Sequence, residues 1–498
     1  MSDAASLARG VILSGFDGEQ PPDALPQFAG YILFARNGTS VTAARAVTDA
    51  IRAAYPGDAA PLIAIDQEGG RVARLQTGIE TMPSMMALGA ADTLEVATRA
   101  GEQMAFDVRR AGATMDFAPV LDLALDPANT VIGTRSLGAD PERVAALGAA
   151  LANGLQRGGV LPCYKHFPGH GSTAVDSHDR MPVVDAGAPA LRARDLVPFA
   201  AVAPGAVAIM GAHLVASAFD AVHPATRSRI LIDMLRGEMG FTGTYVTDCL
   251  HMGAAVEEDG TASAAVDALA AGADLLLISH SIDVAHEAVE RIVAAVNAGS
   301  LPIARLEEAN ARVSALRRAG AAPLELSSFA PHPGIGREIA RRGITLVRGV
   351  PHADPLTSIV VSFQSATSEG AQGAHAVHPS LRREAPVLEE VTLPLGPSLP
   401  EIEAVLAHIR ANGRRPIVLS RRAHVYPSQA EAIDRTIALD RDALVVSMRE
   451  PFDIPLFGRA RHVIAAYGDD AASVGGVADV LFGSSTPGGT MPVALARV

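Results

Sequence analysis

Pro162-Cys-Tyr-Lys-His166-Phe-Pro-Gly-His170-Gly-Ser-Thr-Ala-Val-Asp176-Ser-His178-Asp-Arg-Met-Pro182 starts as a short apolar strand and continues as a loop crowded with ionisable groups. Pro168, Gly169, Gly171 and Pro182 break regular structure after His166, which leaves Lys165 and His166 at a strand terminus. Three imidazoles, an ammonium and two carboxylates follow one another there, more chemistry than a solvated connection requires.

A strand that delivers polar residues at its carboxyl end is the unit from which the fold is read. Apolar runs suited to buried parallel strands recur at 10–13, 31–34, 62–65, 115–118, 163–166, 207–210, 245–247 and 275–278, each followed by a longer Ala-rich segment that suits a helix. Eight such units predict an α/β fold with an N-terminal (β/α)8 TIM-like barrel; a doubly wound sheet is the competing arrangement. A barrel of this kind collects its chemistry beyond the carboxyl ends of the strands. The residues there are Ala35-Arg36-Asn37, Asp66-Gln-Glu-Gly-Gly-Arg71, Asp122 followed by Ile132-Gly-Thr-Arg135, Lys165-His166, His213 and Asp248. Random scatter would place charges at both strand ends.

Three roles compete for the 162–182 loop. Its histidines could cap turns. His166, His170, Asp176 and His178 could bind a divalent ion, but the glycines and proline between the first two prevent the helical i, i+4 pairing that zinc motifs use, so no metal is expected. Asp176-Ser177-His178 could form an acid/base dyad, because alternate residues of an extended loop can turn the same way and the carboxylate can fix the imidazole tautomer. Its glycines and Ser177 imply a loop that moves. Asp66-Gln-Glu-Gly-Gly-Arg71-Val-Ala-Arg74 reads either as an ion-paired loop or as a ligand-binding turn whose diglycine lets backbone approach a ligand. Asp248, between an apolar strand and a small-residue helix start, reads locally as an N-cap.

The loop resembles the K-H-F-P-G-H-G-x-T-x-x-D-S-H-x-x-x-P motif of family 3 glycoside hydrolases that act as β-N-acetylglucosaminidases. Ile65-Asp-Gln-Glu-Gly-Gly-Arg-Val-Ala-Arg74 is similar to the same family's I-D-Q-E-G-G-R-V-x-R segment. Leu235-Arg-Gly-Glu-Met-Gly-Phe-Thr-Gly243, then a strand, then Thr247-Asp-Cys-Leu-His-Met252 resembles the block that carries its nucleophilic Asp, with Thr247 replacing the usual Ser, Cys249 at a position often Asp or Ala, and His251 following. The resemblance implies a retaining, exo-acting enzyme that removes terminal N-acetylglucosamine from muropeptides or chito-oligosaccharides. It implies Asp248 as nucleophile, His178 as general acid/base with Asp176 as its partner, and Asp66, Arg74, Arg135, Lys165 and His166 as the sugar pocket. A β-N-acetylglucosaminide phosphorylase, or another family 3 exo-glycosidase such as a β-glucosidase, is the alternative.

Composition narrows the partners. Lys+Arg 41 against Asp+Glu 54 gives a net charge of −13, a diffuse acidic balance that disfavours nucleic acid. Two cysteines are too few for a disulfide scaffold. The first ten residues lack a basic and apolar leader, and no apolar run approaches about 20 residues, so a soluble cytoplasmic protein without membrane contact or cofactor is expected. Monomer and homodimer fit equally well.

The organisation expected is a catalytic domain over 1–320, a proline-rich linker over 321–336 and a smaller α/β sandwich domain over 337–498. The second domain opens with Ile344-Thr-Leu-Val-Arg-Gly349 and continues with strands at 358–363, 416–420, 443–446 and 462–466, while 365–400 is left without assigned structure. No catalytic residue is expected after about position 320, and Glu389, Glu390 and Glu401 are read as surface charge.

Overall fold

A computed structural model of the chain describes residues 3–56, 60–173, 181–251, 260–321, 331–364, 380–483 and 485–495. The short apolar runs of the first half become β1 (Ile12–Ser14), β2 (Gly30–Leu33), β3 (Leu62–Ile65), β4 (Met115–Asp116), β5 (Leu161–Pro162), β6 (Tyr164–Phe167), β7 (Ala208–Gly211), β8 (Thr244–Thr247) and β9 (Leu276–Ile278). They match the eight predicted positions closely. The fifth run is divided around Cys163 into β5 and β6.

These strands form two parallel sheets. One has six strands in the order β9-β1-β2-β3-β4-β5, the other three in the order β8-β7-β6. At one junction β5 runs into β6; at the other, Val246 of β8 forms an isolated parallel bridge with Leu275, and Thr247 N–H donates to the Leu275 carbonyl at 3.0 Å. Among the described residues the ladders are two, and no single closed ladder runs through them. Leu13, Ile32, Ala64, Met115, Cys163, Met210, Val246 and Leu277 pack into one apolar cluster, while their neighbours Ile12, Tyr31, Ile65, Tyr164, Ile209, Tyr245 and Ile278 pack into another. Both faces of the strands are therefore buried, which is why the runs are continuously apolar rather than alternating.

Helices cover the outer face. Leu94–Arg110 lies against Pro141–Arg157, which starts with Pro141 after Asp140, whose side chain accepts from Glu142 N–H and Arg143 N–H at 3.0 Å. The pair approaches closely because Gly101 and Gly154 face it: a Cβ on Gly101 would lie 2.1 Å from the Leu151 carbonyl oxygen.

Charge is not confined to the carboxyl ends of the strands. Just before β9, fully buried Asp274 accepts from Arg236 at 2.6 Å, Arg305 at 2.6 Å, Arg312 at 3.1 Å and Tyr245 N–H at 3.0 Å. This cluster is a structural rivet, remote in sequence from the loop chemistry, and it corrects the expectation that charged residues mark only the functional face. Asp274→Ala leaves three guanidinium groups without their shared anion and is expected to cost about 3–5 kcal/mol in urea denaturation. A cost under about 1 kcal/mol would mean that solvent screens the cluster.

In the second half, β10 (Thr345–Arg348), β11 (Ser358–Gln364), β12 (Glu389–Pro394), β13 (Arg415–Ser420), β14 (Leu444–Ser447) and β15 (His462–Ala465) form one sheet in the order β10-β15-β14-β13-β11-β12. All pairs are parallel except β10 with β15. Strand β12 falls in the stretch left without assigned structure. It pairs on one side only, with β11, and in its Glu-Glu-Val-Thr-Leu-Pro sequence only Leu393 is buried, so it lacks the apolar pattern of a central strand. Glu389 receives His408 Nε2 at 2.5 Å, and Glu401 caps a helix by accepting from Ser398 N–H at 2.7 Å.

The two halves are in contact. Ser84 Oγ donates to the Tyr467 carbonyl at 2.6 Å, Ala139 N–H to Pro492 O at 2.9 Å, and Arg99 pairs with Glu338 at 3.1 Å. No helix among the described residues is long and apolar enough to cross a membrane.

Candidate active site

Strand β3 ends at Ile65, and the chain turns immediately through a two-stranded antiparallel hairpin, Gln67–Gly69 with Val72–Ala73. The hairpin returns Arg74 to within 3.3 Å of Asp66. Gly69 and Gly70 adopt φ of 95° and 56°, and a Cβ on either would press within 2.8 Å of the backbone of Pro83 or Ser84. The diglycine thus accommodates the protein's own 82–84 segment rather than a ligand, which corrects the sequence reading.

Alternate residues of the hairpin strand project the same way, so Asp66 and Glu68 share a face. Lys165, from β6, reaches both: its Nζ donates to Asp66 Oδ1 at 2.8 Å and pairs with Glu68 Oε1 at 2.6 Å. Arg135, from the turn Gly133–Arg135, clasps Glu68 through Nε at 2.8 Å and a terminal nitrogen at 2.7 Å. Burial pushes the Asp66 and Glu68 carboxyls upward, but the Lys165 charge, with Arg74 at Asp66 and Arg135 at Glu68, outweighs it and holds both below the ordinary carboxylate range. Burial likewise works against charged Lys165, and Asp66 and Glu68 raise it above its ordinary value. The wall is therefore ionised: two anions and three cations, with donors in excess.

His166 is set by Asp122, which is fully buried. Its Nδ1 lies 2.6 Å from Asp122 Oδ2, and its backbone N–H also faces that carboxylate, at 3.2 Å. The other ring nitrogen lies 3.4 Å from Arg135. Asp122 further accepts the His170 backbone N–H at 2.6 Å, so one carboxylate ties down the whole 166–170 turn.

Asp248 stands at the end of β8. Its backbone N–H donates to Gly211 O at 3.1 Å, and its Oδ1 accepts from Cys249 N–H at 2.7 Å. Behind it, buried His213 holds the turn: Nε2 lies 2.9 Å from the Cys249 carbonyl, which can only accept, so Nε2 carries the hydrogen and Nδ1 accepts from Thr226 Oγ1 at 2.9 Å. Burial lowers the pKa of His213 and favours that neutral ring. Cys249 and Ser279 lie side by side, and the ring of His251 stacks on His280 at 5.6 Å.

One cavity of about 130 Å³ gathers these groups. Asp66, Arg74, Arg135, Lys165, His166 and Asp248, six of the residues singled out in the sequence, all line it. Phe34, Met210, Leu277 and Cys249 supply apolar wall, with the Arg74 guanidinium 5.2 Å from the Phe34 ring centre. Asp176 and His178 lie outside the described residues. Sequence reasoning missed Glu68 as the anion shared by Lys165 and Arg135; the only signal was its i, i+2 spacing from Asp66. Asp122 stood out only as a polar residue after a strand. Among the described residues no group of three or more His, Cys, Asp or Glu side chains is placed to hold a metal ion.

The arrangement suits a neutral polyol. Charged side chains make directional hydrogen bonds to hydroxyls, apolar wall covers ring C–H faces, and a carboxylate at the wall can attack an electrophilic carbon.

Comparison with known proteins places this site in a family. The beta-hexosaminidase of Chromobacterium violaceum is 39% identical over 287 residues, 55% of this chain and 79% of that protein. A glycoside hydrolase family 3 β-N-acetylglucosaminidase from Paenibacillus sp. str. FPU-7 superposes with a TM-score of 0.91 at 31% identity over 100% of both chains. A β-N-acetylhexosaminidase from Beutenbergia cavernae superposes with a TM-score of 0.60 at 29% identity, covering 64% of this chain and 99% of that one. Residues 24–316 match the family model described as the glycosyl hydrolase family 3 N terminal domain, and the chain belongs to glycosyl hydrolase family 3.

Proposed function

We propose that this glycoside hydrolase is a retaining, exo-acting β-N-acetylglucosaminidase that removes terminal N-acetylglucosamine from muropeptides or chito-oligosaccharides. The beta-hexosaminidase relatives and the family 3 β-N-acetylglucosaminidase neighbour support the activity. The observation that carries the residue roles is that Asp248 shares one cavity with Asp66, Arg74, Arg135, Lys165 and His166, groups drawn from four separate strand ends.

Asp66, Arg74, Arg135, Lys165 and His166 hold the hydroxyls of the non-reducing sugar. Asp248 attacks the anomeric carbon through an oxocarbenium-like transition state while His178, oriented by Asp176, protonates the departing oxygen. His178 then takes a proton from water, and the hydroxide equivalent releases the sugar from its ester with Asp248. A histidine suits this role because an imidazolium becomes neutral on giving up its proton, so no second carboxylate has to sit beside the nucleophile.

The two parallel sheets are proposed to be segments of one (β/α)8 barrel within residues 1–320. The run of β5 into β6, the Val246–Leu275 bridge and the single apolar cluster to which every strand except β6 contributes support this. A linker over 321–336 and a sandwich domain over 337–498 complete the proposed organisation. The Beutenbergia cavernae chain, almost wholly covered by about two-thirds of this one, supports a catalytic unit separable from the second domain.

A panel of 4-nitrophenyl β-glycosides tests the substrate class. The N-acetylglucosaminide is expected to exceed the glucoside in kcat/KM by at least about 100-fold. Adding inorganic phosphate should leave the rate and the product, free N-acetylglucosamine, unchanged. Preference for the glucoside, or a sugar phosphate as product, would sink the assignment.

A further inference from the structure

His170 takes no part in the scheme above, yet it is 3% exposed and lines the same cavity. Its backbone is pinned on both sides, the N–H by Asp122 at 2.6 Å and the carbonyl by Asn129 Nδ2 at 2.9 Å. The ring nitrogen Nδ1 lies 2.9 Å from Thr173 Oγ1, and that hydroxyl also lies 3.1 Å from the His170 carbonyl oxygen. With the single hydroxyl hydrogen given to the carbonyl, Nδ1 supplies the hydrogen between ring and hydroxyl. Burial lowers the pKa of His170, which keeps the ring neutral. Nε2 is then a bare acceptor, buried and without a partner among the described residues. A buried acceptor left unmatched is costly unless something else satisfies it.

The chemistry of the wall says what that is. Lys165, Arg74 and Arg135 are all donors, and Glu68 is already engaged by Arg135 twice and by Lys165. Every sugar hydroxyl that accepts from such a wall has a hydrogen of its own to place, and the wall offers few acceptors for it.

We propose that His170 Nε2 is a substrate-reading acceptor that takes the hydrogen of one hydroxyl of the bound sugar, which makes His170 a specificity-determining residue. The role rests on the glycosidase function proposed above and adds to it a residue and a bond. Asp122, Asn129 and Thr173 hold the ring in place for this bond, and Thr173 selects the tautomer.

The test is a coupling measurement with 4-nitrophenyl β-N-acetylglucosaminide and its 3-, 4- and 6-deoxy analogues. His170→Phe keeps a ring of similar size and removes the acceptor; it is expected to lower kcat/KM on the parent about 10- to 100-fold. One deoxy analogue that is poor with the wild-type protein should show a penalty relative to the parent that is smaller in this variant, by about the factor the parent itself loses. His170→Gln, whose amide oxygen can reach the Nε2 position, should recover part of the loss. Thr173→Val keeps the ring but frees its tautomer and should weaken discrimination at that same hydroxyl, a readout that survives if His170→Phe fails to fold. Wild-type kcat/KM in His170→Phe, or deoxy penalties identical in the wild-type and Thr173→Val proteins, would overturn the proposal. Failure of the wild-type protein to hydrolyse the parent compound would instead strike the glycosidase assignment itself.

Discussion

Asp248→Ala is expected to lower turnover of an aryl β-N-acetylglucosaminide by on the order of 10⁴-fold or more, as removal of a covalent nucleophile does elsewhere. Among the described residues no neighbouring carboxylate can take its place. Asp66 is held by Lys165 and Arg74, and Glu68 by Arg135 and Lys165. Buried Asp116 accepts from Gln67 N–H, burial pushes its carboxyl well above the ordinary range, and it does not line the cavity. The fold should tolerate the change. Asp248 is only part-buried, and the hydrogen bond its carboxylate accepts from Cys249 N–H is worth about 1 kcal/mol. Circular dichroism and a thermal melt should therefore match the parent protein while the rate collapses. More than a few per cent of residual activity would move the nucleophile to another residue.

His178→Ala is expected to separate substrates by leaving group. A disaccharide or other alkyl glycoside needs a proton on the departing oxygen and should slow by about 10²- to 10⁴-fold. A dinitrophenyl glycoside, whose leaving group departs as a stable anion, should slow by less than about tenfold in the first step. In the first turnover the phenol should then appear as a burst ahead of the free sugar, because the same imidazole activates water for the second step. Equal losses on both substrates would remove His178 from the acid role. Asp176→Asn should shift the same contrast in the same direction but less, since it leaves the imidazole present and takes away only its orienting anion.

Much of this protein was legible because its chemistry sits where a parallel strand stops. Runs such as Leu62-Ile-Ala-Ile65 have both faces buried, so they read as strands without any alternation, and the polar residue that ends each one marks the functional edge. Asp66, Lys165 and Asp248 were found this way. What was not legible depends on contacts between distant segments. Glu68 is anchored by Arg135, 67 positions along the chain, and spacing within one loop cannot announce such a partner. Asp274 shows the converse: three arginines from elsewhere in the chain make an isolated carboxylate structural, although by sequence it resembles the functional ones. The Gly69-Gly70 pair was rightly read as a demand for backbone freedom but assigned to a ligand, because the approaching 82–84 segment is invisible until the chain is folded. Strand β12 is hard to read from sequence because an edge strand that opens with two half-buried glutamates lacks the apolar signal on which strand detection rests.

The central claim is that Asp248 becomes covalently joined to the sugar. A 5-fluoro-N-acetylglucosaminyl fluoride tests it directly: the ring fluorine slows both steps by destabilising the oxocarbenium-like transition state, and the fluoride leaving group favours the first step, so the intermediate accumulates. Peptide mass spectrometry of the trapped protein should find one fluorosugar on the fragment that contains Asp248 and none on that fragment from Asp248→Ala. A label on a different carboxylate, or no label together with a product of inverted configuration, would contradict it.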